Sequence, residues 1–210
     1  NCAREEMKMA DLKGARVGCA MTGSFCTFSK AFRAFEALRA AGAELFPIMS
    51  DNAYALDTRF GSAAAMRSRL REICGREIWH TLPDVEPIGP KKLLDLVLVA
   101  PCTGNTLAKL ARGACDTAAA MAVKSHLRNG GNVLLAVSTN DGLGRSAANI
   151  GALLAMKHIF FVPFRQDDFI AKPDSLVADF ALVPEAAEAA LRGKQMQPLL
   201  LPGQSSAEKM

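Results

Sequence analysis

Three short polar stretches hold most of the residues of this 210-residue chain that could do chemistry. They are Thr22-Gly23-Ser24-Phe25-Cys26, Pro101-Cys102-Thr103-Gly104-Asn105-Thr106, and Ser138-Thr139-Asn140-Asp141-Gly142-Leu143-Gly144. The hydroxyls of Ser24, Thr103, Thr106, Ser138 and Thr139 can each donate and accept, and Asn105 does both through its amide. Gly23, Gly104, Gly142 and Gly144 let a backbone come close to a ligand. The free backbone amides where the second stretch enters a helix favour an anion such as a phosphate. The nicotinamide-dinucleotide fingerprint is absent, because Gly18 is followed by Cys19, Ala20, Met21 and Thr22 before Gly23. Cys102 and Cys26 stand in turns where a nucleophile would be useful. Neither has a paired base nearby in sequence, so burial as a small hydrophobe is the plainer reading of both. His80 is a candidate proton carrier or an ordinary loop histidine. His126 and His158 fall away from the polar turns. Lys109 is placed to pair locally, and Asp141 to anchor the third turn or to orient a ligand hydroxyl.

The elements around these turns alternate. Residues 96–101 follow Asp95 as an unbroken apolar run, which suits a strand buried on both faces of a parallel sheet, with Pro101 ending its ladder. Further strands are expected at 15–20, 44–49, 133–137 and 159–163, with a short one at 77–80. Pro47 makes the second strand imperfect. Phe28, Phe32, Phe35 and Leu38 mark the core face of a first helix that Gly42 ends, and Phe60, Ala63, Met66, Leu70 and Ile73 mark a second. Arg67, Arg69 and Arg71 give the second helix a solvated face. Helices follow at 107–111, 116–127, 147–156 and 184–191. Residues 50–58 and 82–92 read as loops, and 166–175 as a polar segment that covers the site or packs on a neighbour. About six strands alternating with helices predict a three-layer α/β/α domain, Rossmann-like or flavodoxin-like, with a parallel sheet. In such a sheet the three turns converge at the carboxyl ends of the strands. Residues 12–200 are expected to form this single domain, with a flexible extension at 1–11 and a flexible tail at 201–210.

Composition narrows the function. The net charge is +4, from 25 basic and 21 acidic residues, and no basic block accompanies it. One Tyr and one Trp make no stacking platform, so nucleic acid is not an expected partner. No CxxC pair and only three histidines argue against a metal cluster. The six cysteines suit reduced thiols in a cytoplasmic protein, and no membrane span or signal peptide is visible.

The motifs GCAMTGSFCTF at 18–28, DTRFG at 57–61, EPIGPKK at 86–92, APCTGNTLAKLA at 100–111 and VSTNDGLG at 137–144 resemble the flavoprotein family that includes cysteine decarboxylases and flavin prenyltransferases. NIGALL at 149–154, VPFRQDD at 162–168 and KPDSLVAD at 172–179 extend the resemblance over roughly residues 12–200. It implies a flavodoxin-like or Rossmann-like sheet, homo-oligomers that are trimers or multiples of trimers, and FMN held across a contact between subunits. Thr22, Gly23 and Ser24 would then approach the flavin phosphate, with Ser50 at the end of strand two. Thr103, Asn105 and Thr106 would line the next turn, and Ser138 and Thr139 would face the ring or substrate. The decarboxylases carry a catalytic histidine upstream of their PxxxNT motif. Here that neighbourhood is Glu86-Pro87-Ile88-Gly89, and the asparagine-rich substrate clamp is also missing, which argues against cysteine-peptide decarboxylation.

The full set of motifs is similar to one branch of the family, the second subunits of an oxidoreductase that makes a pyridine dicarboxylate in sporulating bacteria. That resemblance implies a dehydrogenase-like partner subunit carrying NAD(P), a cyclic dicarboxylate substrate from the lysine pathway, and a place in the mother-cell cytoplasm. Arg59, and Lys91 with Lys92, are the carboxylate clamps it suggests, and bidentate geometry favours Arg59. Cys102, Asn105 and Arg59 are the catalytic candidates. Two other readings stand beside it: a noncatalytic partner that stabilises the dehydrogenase, and an independent FMN-dependent decarboxylase or prenyltransferase.

Overall fold

The computed structural model describes residues 10–204. Five strands run parallel in the order β2 (Glu44–Met49), β1 (Arg16–Met21), β3 (Leu96–Cys102), β4 (Asn132–Thr139) and β5 (Ile159–Phe161). β3 lies at the centre and every one of its residues is buried, as its apolar run requires. β1 and β4 flank it and are nearly as dry. Helices α1 (Phe28–Ala40), α3 (Ala63–Cys74) and α8 (Val183–Leu191) pack on one face. Helices α4 (Leu82–Val85), α5 (Gly104–Arg112), α6 (Ala118–Leu127) and α7 (Ser146–Leu154) pack on the other. The result is the expected three-layer α/β/α domain.

The sheet departs from the expected one in being mixed. The polar 166–175 segment lies in an antiparallel hairpin formed by β6 (Phe164–Asp168) and β7 (Lys172–Ala178). β5 pairs only with Val133, Leu134 and Leu135, so the last part of β4 keeps a free edge. β7 takes that edge in antiparallel register, Val177 opposite Ser138 and Leu176 opposite Thr139. The sheet therefore has seven strands. Polar residues and Pro173 hid the hairpin because it is half-exposed and short on apolar alternation.

Other expectations shift for local reasons. Residues 77–80 form no strand; Trp79 makes one parallel bridge to Ile48 at the outer edge of β2. The chain there turns at once into α4, whose Thr81 and Asp84 form a reciprocal capping box. Pro101 does not end β3, which runs to Cys102 with a register shift between Val99 and Cys102. Residues 50–58 contain a one-turn helix, α2 (Asp51–Ala55). Phe60 lies outside α3, exposed at the tip of a tight turn in which Thr58 and Gly61 exchange backbone hydrogen bonds. Gly61 has φ +141° there, a backbone conformation open to glycine. Of the expected N-terminal extension, residues 1–9 lie outside the described residues, as do 205–210 of the expected tail; Ala10 is buried, and Leu201 and Gln204 hydrogen-bond to β6.

Candidate functional site

Strand order reverses between β1 and β3, because the chain leaves β1 for β2 on one side and β3 for β4 on the other. The turns leaving β1 and β3 must therefore meet. They are tied by Thr22, whose N–H and hydroxyl both donate to the Pro101 carbonyl, at 3.3 and 2.7 Å. The same hydroxyl accepts from the Thr103 N–H at 3.1 Å. The turn after β4 joins through Ser138, whose hydroxyl shares hydrogen bonds with Ser24 at 2.8 Å and Thr27 at 3.3 Å.

The start of α5 is the other junction. Thr103 caps the helix, its hydroxyl accepting from the Thr106 N–H at 3.2 Å. Asp141 lies against the first helical residue, Gly104, and accepts from the Thr139 hydroxyl at 2.5 Å and the Ser146 hydroxyl at 2.8 Å. Those two hydrogen bonds hold its carboxyl below the usual carboxylate range. A Cβ at Gly104 would stand 2.6 Å from the Thr139 hydroxyl, 2.7 Å from that of Ser146 and 2.8 Å from the Asp141 carboxylate. Glycine is the residue that lets helix, hydroxyls and carboxylate meet.

Two clefts open beside this junction and share Gly23, Thr103 and Asn105 as a common wall. The larger, about 850 Å³, is closed on one side by the β6–β7 hairpin. Its lining includes Ser24, Cys26, Ser138 and Thr139 from the turns, the rings of Phe25 and Phe60, and the charged Lys30, Arg59, Asp141, Asp167 and Lys172. The smaller, about 430 Å³, is lined by Thr22, Ser50, Asn52, Thr106, Lys109 and Asp116 besides the shared wall.

Every residue expected to hold a cofactor lines one of these clefts. Gly23, Thr103 and Asn105 line both; Ser24, Ser138 and Thr139 line the larger; Thr22, Ser50 and Thr106 line the smaller. Their hydroxyls are not equally free. Those of Thr22, Thr103, Ser138 and Thr139 are spent on the junction itself, whereas Ser50 at the start of α2 makes no capping hydrogen bond.

The catalytic candidates separate more sharply. Arg59 and Asn105 face cleft space. Cys102 is fully buried on β3 and lines neither cleft, and burial pushes its thiol well above the ordinary range. Lys91 and Lys92 correct the sequence expectation too. They precede β3, at the amino end of the sheet, and line neither cleft of this chain; the Lys92 carbonyl accepts from Arg16 at 3.0 Å. His80 stacks on Tyr54 with ring centroids 3.8 Å apart and also lies outside both clefts.

The structure adds residues that sequence reading missed. Lys30 comes from the first turn of α1, four residues after the first polar stretch ends at Cys26. Asp167 and Lys172 come from the hairpin and pair at 3.0 Å, which raises the lysine above its usual range. The motifs VPFRQDD and KPDSLVAD contained both, but only the hairpin geometry turns them toward the cleft. Lys30 and Arg59 have no carboxylate partner among the described residues; Arg59 lies over the Phe60 ring, 4.9 Å from its centroid.

Comparison with known proteins agrees with this architecture. A family model described as Flavoprotein matches residues 5–176. The B subunit of dipicolinate synthase from Bacillus subtilis (strain 168) is 42% identical over 193 residues, covering 92% of this chain and 96% of that protein. A crystal structure of the dipicolinate synthase B subunit from Bacillus halodurans C superposes with a TM-score of 0.85 at 39% identity, covering 92% of this chain and 100% of that one. The FMN-dependent cysteine decarboxylase SpaF shares the fold, with a TM-score of 0.64 at 19% identity over 86% of this chain and 97% of that one. A carboxyl-end site at the β1/β3 reversal, with nearly the whole length of the chain matched, places it: the chain belongs to the flavoprotein family, in the group of the dipicolinate synthase B subunits.

Proposed function

We propose that this chain works as the B subunit of a dipicolinate synthase, together with a dehydrogenase-like A subunit, in making pyridine-2,6-dicarboxylate during spore formation. The observation that carries the reading is similarity along nearly the whole chain to proteins of that name, 42% and 39% identical. The large cleft suits the chemistry. Phe25 and Phe60 offer flat apolar surface to a ring, and Arg59 offers two N–H groups to a carboxylate. The conversion from the dihydrodipicolinate synthase product releases one water. It then passes a hydride to a nicotinamide, which we assign to the dehydrogenase-like partner, and a proton to solvent. In this division the present chain binds and orients the dicarboxylate and excludes water around it. Asn105, between the two clefts, is placed to hydrogen-bond the ligand, and we assign Cys102 to packing.

FMN fits the smaller cleft in part. Thr22 and Thr103 are spent on the junction, but Ser50, Asn52, Asn105 and the backbone at Gly23 remain to meet a phosphate. A bound FMN would supply a second two-electron acceptor. A flavin absorbance spectrum from the purified protein, or its absence after reconstitution with FMN, decides whether the group is retained. We further propose cytoplasmic trimers or multiples of trimers, which sedimentation measures directly.

The central test is dipicolinate formation by the dehydrogenase-like partner with this chain omitted or added, starting from the dihydrodipicolinate synthase product. The expected outcome is product only when both are present. Equal rates without this chain would remove the synthase reading. An independent FMN-dependent reaction would then lead. Activation by a chain whose cleft residues can all be replaced would favour the purely stabilising partner.

A further inference from the structure

Lys30 occupies an electrostatically awkward place. It sits in the first turn of α1, where the helix amides already carry partial positive charge, and no acidic residue shares that turn. No carboxylate partner for it exists among the described residues, and it lines the large cleft. The third cation of the cleft, Lys172 on the hairpin, is paired with Asp167 at 3.0 Å. The cleft's remaining carboxylate, Asp141, is occupied by the hydroxyls of Thr139 and Ser146. The acids of the cleft are thus satisfied, while Lys30 and Arg59 are not.

The two cations reach the cleft from different walls. Arg59 stands at the tip of the turn closed by Thr58 and Gly61. Lys30 stands on the hairpin side, since it also lines the groove between α1 and the hairpin with Arg33 and Asp167. Two unpaired cations on separate walls, with Phe25 and Phe60 also lining the space, describe a receptor for a flat ring bearing two carboxylates.

We propose that Lys30 is a second carboxylate-binding residue: Arg59 holds one carboxylate of the cyclic dicarboxylate and Lys30 the other. This rests on the reading of the chain as part of a dipicolinate synthase, and it makes the cleft selective for a dicarboxylate over the corresponding monocarboxylate. Lys172 stays paired with Asp167 within the hairpin.

The test is calorimetric titration of the full chain with pyridine-2,6-dicarboxylate and with pyridine-2-carboxylate. The dicarboxylate should bind about tenfold more tightly or better, the value of one charged hydrogen-bonded contact. Lys30→Gln should erase most of that preference by weakening the dicarboxylate alone, and Lys30→Arg should retain it. Lys157→Gln, at the other end of the sheet, serves as the surface-charge control and should change neither affinity. Equal affinities in the parent chain, no binding of either compound, or a preference that survives Lys30→Gln would each overturn the proposal. The preference is read without the dehydrogenase-like partner, so it fails or holds separately from the requirement for this chain in dipicolinate formation.

Discussion

Two grooves of similar size lie at opposite ends of β4, and only one has the makings of a ligand site. The carboxyl-end cleft is about 850 Å³ and the amino-end groove about 790 Å³. The amino-end groove is lined by Leu154, Met156, Ile159, Phe160, Leu191 and Leu199, with a few polar residues among them. Among them Lys157 has no carboxylate partner among the described residues and Arg192 pairs with Glu188, while the uncharged ones hold structure together. His158 and Asn132 are 2.8 Å apart through Nδ1 and Oδ1, and the Asn132 amide donates to the Ala190 carbonyl at 2.8 Å. Gln195 accepts from the Phe161 N–H at 2.8 Å and donates to the Phe161 carbonyl at 2.7 Å, which satisfies the exposed edge of β5. At the carboxyl end the hydroxyls are engaged to the same degree, but Lys30 and Arg59 are left facing the space, beside exposed aromatic surface. Volume does not distinguish the two grooves, and each holds an unpaired cation; the carboxyl-end cleft differs in having two of them, Lys30 and Arg59, beside Phe25 and Phe60, where the amino-end groove has Lys157 alone, its Arg192 being paired with Glu188.

The difference can be broken most severely at Gly104. Gly104→Val would drive a side chain into Thr139, Ser146 and Asp141 together. Dipicolinate formation with the dehydrogenase-like partner should fall by roughly a hundredfold, the scale on which misplaced binding groups act. A melting curve should record a loss of about 1–3 kcal/mol from overpacking. Retained activity would show that the three-turn junction does not shape the site.

Arg59→Ala should act on binding alone. The side chain is exposed and, among the described residues, has a cation–π contact with Phe60 and no carboxylate partner, so folding should be untouched. In the assembled enzyme the substrate KM should rise about tenfold or more, with a smaller change in kcat. An unchanged KM would remove Arg59 from the site.

Gln195→Ala is the mirror experiment at the other end. It strips two hydrogen bonds from the β5 edge and should cost about 1–3 kcal/mol in denaturant unfolding while leaving the KM alone.

Acid should separate the ends more gently. Burial holds His126, near the start of β4, below the usual imidazole range. Because its folded value is depressed, the unfolded chain binds the proton first, so this stability is complete above about pH 6.5 and declines below it. Asp141 is also depressed, but as a carboxylate its contribution is complete above about pH 3.9 and is lost only as pH falls through the lower folded value. Unfolding free energy measured against pH should therefore soften first through the amino end. His126→Leu should flatten the slope just below neutrality, and Asp141→Asn the slope in strong acid. The reverse assignment of slopes would contradict the environments described for the two groups.

Much of this arrangement was legible in residue patterns. The apolar run of β3, the helical spacing of Phe28, Phe32, Phe35 and Leu38, and the composition of the three turns all report local physics, so each landed on its element. The cofactor-binding candidates came from those turns and from the end of strand two, and all of them line cleft space. The clamp residues fared differently. Arg59 reaches the large cleft, whereas Lys91 and Lys92, chosen as a nearby basic pair, fold to the amino end. Lys30, Asp167 and Lys172 carried no local mark of a site, since a lysine on a helix or hairpin is ordinarily solvated.

By itself the sequence determined the alternation of strands and helices, the polar ends of β1, β3 and β4, and membership in the flavoprotein family, because periodicity, turn chemistry and motif identity are properties of short stretches of chain. The tertiary structure alone decided that β7 takes the free edge of β4, which hydroxyls are consumed in joining the turns, and which cations remain unpaired. Those outcomes depend on contacts between residues far apart in the chain, such as Ser24 with Ser138. No local pattern encodes whether a charge will meet a partner once the chain has closed around it.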